Sequence, residues 1–211
     1  MENDNLIKEL SDIQASALQE MGNIGAGHAG IALSQLIEKK IMMAVTRVKL
    51  LSLEEFINLI GKDSLVVGIH LKVLVEIQAG MVLIFLKESA LSLVDVLMKQ
   101  KIGSTKILSD IAQSALKETG SILSAAYLNA LTEMLHTSLI PSVPKIALDK
   151  AETVMSTIFG ELLKEENIML AIETEFIEAS SKIKGYFLFV PGHKGIQYLL
   201  KNLGVKVKEE K

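Results

Sequence analysis

The sequence contains no cysteine, which excludes disulfides, zinc–cysteine sites and thiol nucleophiles and is typical of a reducing compartment. Aromatic residues make up only 4% of the 211 residues, so few rings are available to stack on nucleic-acid bases. The net charge is −3, and no Lys/Arg cluster outside the C-terminal tail is larger than Lys39-Lys40. We therefore expect no nucleic-acid partner.

Long uncharged apolar runs are missing as well. Lys72 and Glu76 interrupt the most apolar region, residues 65–86, so no run of the roughly 18 apolar residues that span a membrane remains. The N-terminal residues MENDNLIKEL are polar and acidic, unlike a secretory signal. Four scattered histidines and no carboxylate cluster give no pattern for a metal site. We predict a cytoplasmic protein without membrane insertion and without a metal or cofactor of its own.

What the chain does contain is an internal repeat. Residues 11–37 and 109–135 align without a gap at an offset of 98 residues, and 11 of the 27 positions are identical. Each segment is followed by a β-prone stretch, a pair of β-rich runs and a helical segment. In chain order these are residues 41–51, 65–77, 81–86 and 88–99, then 139–148, 168–179, 186–190 and 194–203. Two further helices are predicted at residues 53–59 and 152–164.

This pattern predicts an α+β fold with pseudo-twofold symmetry. Each half reads helix–strand–hairpin–helix, and we expect the strands of both halves to join into an antiparallel sheet with the long helices packed on it. No Pro/Gly/Ser-rich linker separates the halves. We therefore predict a single domain over residues 1–211, made of two repeats at about 11–100 and 109–204.

The stretch Gly25-Ala-Gly27-His-Ala-Gly30 has the G-x-G-x-x-G spacing of a dinucleotide-binding loop. The second repeat has Leu123-Ser-Ala-Ala-Tyr-Leu128 at these positions, with no glycine and with good helix formers. The glycines also follow a segment with helical spacing, whereas a dinucleotide fingerprint follows a strand. We predict that they lie inside a helix, where their small size allows close packing.

A row of polar residues lies on the other side of this helix. In the first repeat the row is Ser16, Glu20 and Asn23, at positions i, i+4 and i+7, which places them within about 60° of arc. The corresponding residues of the second repeat are Ser114, Glu118 and Ser121. A solvated helix face is the alternative interpretation, but such a face has little reason to keep the same residues in two diverged repeats.

With this motif and duplication, the sequence resembles the CheC/CheX/FliY family of chemotaxis phosphatases. That family carries Asp/Ser-x3-Glu-x2-Asn on a helix and a proline 23 residues after the Asn, and the first repeat matches the helical part with Thr46 in place of the proline. The second repeat has Pro144 but lacks the Asn. The resemblance is to the CheC branch, because CheX-like members have one repeat and the length leaves no room for the extra domain of FliY-like members.

The resemblance implies a protein that ends chemotaxis signals by hydrolysing the aspartyl phosphate of a CheY-type response regulator. It makes Asn23 the amide that positions the attacking water and Glu20 the carboxylate that pairs with a lysine of the regulator. Ser16 and Ser114 would be supporting residues, and the Mg²⁺ would belong to the regulator. Glu118 and Ser121 would form a weak or degenerate second site.

The alternative is a binding module with little turnover that docks on the phosphorylated CheY-type regulator or on the receptor deamidase CheD. Ser121 and Thr46 favour this alternative, because neither repeat carries the complete pattern. The intact pair Glu20 and Asn23 favours the enzyme. Thr46 is expected to leave a looser turn after the helix than a proline, whose ring fixes one backbone angle.

Overall fold

The computed structural model describes residues 10–40, 42–74, 79–162, 168–178 and 183–206. Within these ranges, the elements in chain order are α1 (Asp12–Ile37), β1 (Met42–Ser52), α2 (Leu53–Ile60), β2 (Leu65–Leu74), β3 (Ala79–Leu86), α3 (Lys87–Leu97), α4 (Asp110–Leu135), β4 (Ile140–Pro141), β5 (Lys145–Lys150), α5 (Ala151–Leu162), β6 (Ile168–Glu178), β7 (Ile183–Pro191) and α6 (His193–Asn202). This order of helices and strands confirms the predicted α+β class. The far ends of the runs predicted at 65–77, 152–164 and 168–179 lie outside the described residues.

The repeated segments form two helices of equal length, because α1 and α4 each have 26 residues. Ser11 and Ser109 cap their N-termini, each accepting a hydrogen bond from the backbone three residues on. Gln14 completes a capping box by accepting from the Ser11 N–H at 2.9 Å. Gly25 and its neighbouring glycines lie inside α1, as predicted, so the G-x-G-x-x-G stretch is not a nucleotide loop.

The strands form one antiparallel sheet in the order β1-β6-β7-β3-β2, and both β4 and β5 pair with β2. Each repeat therefore gives its first strand to the other repeat. Strand β1 of the first half pairs with β6 of the second half, and β5 of the second half pairs with β2 of the first. The single strand predicted at 139–148 is instead divided into β4 and β5, with Ser142, Val143 and Pro144 between them.

Helices cover both faces of this sheet. Along β2, Val67 and Ile69 point into a core shared with α1, α3, α4 and α6, while Val66 points into a second core shared with α2 and α5. This alternation follows from the two-residue period of a strand whose two faces are both buried. Within the described residues, no helix is both long and apolar enough to cross a membrane.

The long helices pack against each other through unequal side chains. A Cβ atom added to Gly25 of α1 would lie 2.6 Å from the ring of Tyr127 on α4. Tyr127 is buried, and its ring packs edge-on against Phe187 with centroids 5.3 Å apart. The repeat counterpart of Tyr127 is Ala29, so a large residue of one helix fills the space that a glycine leaves in the other.

A buried carboxylate holds the segment that joins α3 to α4. Asp95 is fully buried, and its oxygens accept hydrogen bonds from the backbone N–H groups of Gly103, Ser104 and Thr105 at 2.6, 3.1 and 2.8 Å. The Thr105 hydroxyl donates a fourth bond at 2.6 Å. Burial alone would raise the pKa of Asp95, but these bonds to the ionised carboxylate outweigh it and hold the pKa below its ordinary value.

Candidate active site

The polar row of the first repeat lies on the solvent side of α1. Ser16, Glu20 and Asn23 are all exposed, while Leu18 and Met21 on the other side are fully buried. Helical geometry thus brings these three predicted residues to one accessible face, about 10 Å long from Ser16 to Asn23. Within the described residues Glu20 forms no ion pair, so its carboxylate is available to a cation on another molecule.

The Asn23 side chain joins α1 to β1. Its Oδ1 accepts a hydrogen bond from the Val45 backbone N–H at 3.2 Å. Because a backbone N–H can only donate, this contact fixes which end of the amide faces the strand, and Nδ2 therefore points the other way. Oδ1 has a second lone pair that remains for another donor. The amide is oriented before any partner arrives.

The strand bears a β-bulge beside this contact. Val45 pairs with Thr174 and Arg47 pairs with Glu173, so Thr46 is the extra residue that the partner strand does not match. The Thr46 hydroxyl donates to the Glu173 carbonyl oxygen at 3.4 Å. The expectation of a loose turn at Thr46 is wrong: this residue lies within β1, where strand pairing on both sides of the bulge fixes the backbone.

The second repeat has a bulge at the corresponding place. Val73 of β2 pairs with Pro141 and His70 pairs with Lys145, so three residues of the β4–β5 connection face two residues of β2. Pro144 lies in this connection, 98 residues after Thr46. Thr46 and Pro144 therefore occupy equivalent positions in the two bulges. The first repeat forms its bulge without the proline that the family carries at this position.

The predicted second site also comes together, but it lacks the link between helix and strand. An open groove of about 540 Å³ separates α4 from the β4–β5 connection, and its lining includes Ser114, Lys117, Glu118, Ser121 and Pro144. Within the part of the chain that the structure describes, the Ser121 hydroxyl makes no hydrogen bond to the exposed Val143. A serine side chain lacks the amide with which Asn23 reaches the strand.

A second groove was not predicted from the sequence. It lies between α1 and β1 beyond Asn23, has a volume of about 700 Å³, and is lined by Gly27, Gly30, Ile31, Ser34, Gln35, Glu38, Lys39, Lys40, Met42 and Met43. We call it the glycine groove. Gly27 and Gly30 could have indicated it, because each glycine inside a helix costs about 1 kcal/mol of helix stability relative to alanine.

The described residues include no group of three His, Asp or Glu side chains that could hold a metal ion. The polar row of α1 presents one hydroxyl, one carboxylate and one amide. An amide that does not titrate can orient water but cannot act as an acid or base near neutral pH.

Comparison with known proteins finds similarity over the elements that carry these residues. The CheC-like family model matches residues 13–45, which span the polar row of α1 and the strand residues through Val45. The chain is 30% identical over 207 residues to CheC of Bacillus subtilis, a CheY-P phosphatase, and the match covers 94% of this chain and 97% of that protein. The chain belongs to the CheC-like family.

Solved structures share the fold of this CheC-like protein. FliY of Thermotoga maritima matches with a TM-score of 0.77 and 19% identity, covering 92% of this chain and 98% of that one. The middle domain of FliM from H. pylori matches with a TM-score of 0.65 and 14% identity, covering 92% and 99%. At such identities the likeness concerns the fold alone.

Proposed function

We propose that this CheC-like protein is a chemotaxis phosphatase that hydrolyses the aspartyl phosphate of a CheY-type response regulator by positioning a water molecule. The observation that carries the proposal is Asn23, an exposed amide that the Val45 N–H already orients, one turn from the exposed Glu20. The relative of 30% identity, a CheY-P phosphatase, supports the same reaction.

Hydrolysis of an aspartyl phosphate mainly requires that the attacking water be positioned. An aspartyl phosphate is an activated mixed anhydride, so water can attack phosphorus directly while the bond to the aspartyl oxygen breaks, releasing phosphate and the carboxylate. Phosphoryl transfer of this kind depends mostly on alignment and electrostatics. The free lone pair of Asn23 Oδ1 would accept from the water, and Nδ2 would donate to a phosphoryl oxygen.

Glu20 has a different part in this proposal. It lies about 4.5 Å along the helix axis from Asn23, on the same face. It would accept a hydrogen bond from the ammonium group of a lysine in the regulator's site, which fixes the docking register. The Mg²⁺ that neutralises the phosphoryl oxygens would be held by the regulator, and Ser16 would support the row from the preceding turn.

The second repeat would contribute less. Glu118 is exposed and can dock a regulator in the same way, but Ser121 has no amide to orient the water. We propose that this second site is weak or silent. We also propose that both repeats act as one domain, because β1 and β5 each pair with a strand of the other repeat. The absence of cysteine, typical of a reducing compartment, supports a cytoplasmic location.

The test is the decay of a phosphorylated CheY-type regulator with and without the protein. Asn23→Ala should lower the rate on the order of 10²–10³-fold, as removal of a preorganised polar group does. Glu118→Ala should keep most of the acceleration. Normal hydrolysis by Asn23→Ala would contradict the assignment of Asn23 as the residue that positions the water. Binding that depends on phosphorylation but brings no acceleration would favour the alternative, a binding module for the regulator or for CheD.

A further inference from the structure

The glycine groove continues the polar row of α1. Gly27 lies four residues after Asn23 and seven after Glu20, so all three share one helix face. The helical rise places Gly27 about 6 Å beyond Asn23 along that face. A molecule whose reacting group lies at Asn23 must therefore also cover the near end of the groove.

The protein's own packing does not require glycine in this groove. A Cβ atom added to Gly27 would meet nothing within 4 Å, and one added to Gly30 would make an ordinary contact with Met43 at 3.5 Å. Gly22 and Gly25 differ, because a Cβ atom there would lie 2.6 Å from Ile172 and Tyr127 respectively. Gly27 and Gly30 thus lower helix stability while leaving space that none of the described residues fills.

The lining of the groove indicates what fits it. Ile31 and Met42 line it with 60% and 69% of their surface exposed, so two large apolar side chains of its wall are accessible to a partner. Lys40 lies at the far end, beyond the last turn of α1. The one acidic residue of the lining, Glu38, already pairs with Lys99 at 2.7 Å. The groove is therefore complementary to an apolar side chain followed by a carboxylate.

We propose that the glycine groove is the specificity pocket for the phosphorylated regulator and receives an apolar side chain, next to an acidic residue, from the regulator's surface. This inference rests on the proposed function, since it takes the molecule docked at Glu20 and Asn23 as the occupant. The corresponding positions of the second repeat are Ala125 and the fully buried Leu128, so the pocket accompanies the repeat that carries the amide.

The experiment compares two glycine substitutions in the full chain. Gly27→Leu fills the near end of the groove, and Gly160→Leu is its matched control on α5, where an added Cβ atom also meets nothing within 4 Å. Both changes improve helix propensity, so neither should lower Tm. The probe is a CheY-type regulator activated with beryllofluoride and Mg²⁺, and its binding is measured by titration calorimetry.

Gly27→Leu should weaken binding about tenfold or more and raise KM for hydrolysis with little change in kcat, because the groove acts in docking rather than in the reaction. Ile31→Asp, which replaces an apolar wall by an anion, should weaken binding in the same direction. Gly160→Leu should bind and hydrolyse as the wild type does.

Wild-type affinity in both Gly27→Leu and Ile31→Asp would overturn the inference and leave the proposed function intact. No binding of the activated regulator by the wild type would overturn both. Loss of binding in Gly27→Leu together with normal hydrolysis by Asn23→Ala would support the pocket and refute the catalytic assignment.

Discussion

The α1–β1 face and the α4–β4/β5 face come from one repeated segment but differ in how the helix meets the strand. In the first, Asn23 bridges to the bulge at Val45; in the second, Ser121 stops short of the strand and the space stays open. Both faces keep a bulge and an exposed glutamate at the same repeat position. The bulge is thus the shared framework, and the amide is the part that varies.

The largest effect should follow from making the first face resemble the second. Asn23→Ser removes the amide but keeps a small polar side chain, and it should slow dephosphorylation by roughly 10²-fold. Adding Ser121→Asn to this variant should restore about a tenfold acceleration, because the new amide oxygen can accept a hydrogen bond from the backbone N–H of Val143, next to Pro144. The rate of phosphate release measures both steps.

A matched control for this exchange is His28→Ala. His28 is exposed on α1 but lies outside the polar row, so its loss should leave the rate within about twofold of wild type. An Asn23→Ser variant that keeps its full rate would show that the two faces are chemically equivalent. The amide would then have no special role.

The segment that joins the two repeats can be destabilised without altering either face. Asp95→Asn weakens four hydrogen bonds to a buried carboxylate and should cost about 2 kcal/mol of unfolding free energy at pH 7. The folded-state pKa of Asp95 is lowered, so the carboxylate's stabilisation is present above the ordinary aspartate range and is lost as pH falls through the folded value. Urea denaturation at pH 7 and pH 3 measures the difference.

The difference in unfolding free energy between the wild type and Asp95→Asn should therefore become smaller at low pH. A gap between wild type and Asp95→Asn that stays constant down to pH 3 would mean that the carboxylate is not preferentially ionised in the folded state. Hydrolysis at neutral pH should be unchanged in this variant, because Asp95 lies in neither groove.

A smaller loss should follow from filling the gap between the two helices. Gly25→Ala places a methyl group against the Tyr127 ring, and overpacking of this kind costs about 1–3 kcal/mol, offset in part by better helix propensity. Tyr127→Leu in the same chain should relieve the clash, which a double-mutant cycle in urea can measure. Additive effects of the two substitutions would show that these side chains do not meet.

Much of this arrangement follows from the sequence. The repeat predicts two equal helices, the second copy shows that Gly25 and its neighbours are helical, and the spacing of Ser16, Glu20 and Asn23 places them on one face. Pro144 could also have indicated the break between β4 and β5, because proline cannot donate to the strand ladder.

Other features depend on contacts between distant segments. Periodicity shows which face of a strand is buried but not which strand lies beside it, so the pairing of β1 with β6 had no local signal. The bulge at Thr46 and the bond from Val45 to Asn23 arise from that pairing. The same holds for the glycine groove, since Gly27 becomes a recess only once β1 lies alongside α1.

The smallest effect concerns the hydroxyl of Tyr127. This side chain lies between α4 and α1, and the first repeat has Ala29 at the corresponding position. This hydroxyl is buried, and within the described residues it has no hydrogen-bond partner. Burial raises its pKa, so it stays protonated at all ordinary pH values. Tyr127→Phe should raise the unfolding free energy by up to about 1 kcal/mol, because the variant no longer buries an unpaired polar group.

Equilibrium unfolding in urea is sensitive enough to detect this change if the slope of the transition stays constant. A loss of stability in Tyr127→Phe would mean instead that the hydroxyl forms a hydrogen bond in solution, and Gly22, whose added Cβ atom would lie 3.7 Å from it, marks where to look. In that case the glycines of α1 would make room for a polar contact between the repeats as well as for the ring itself.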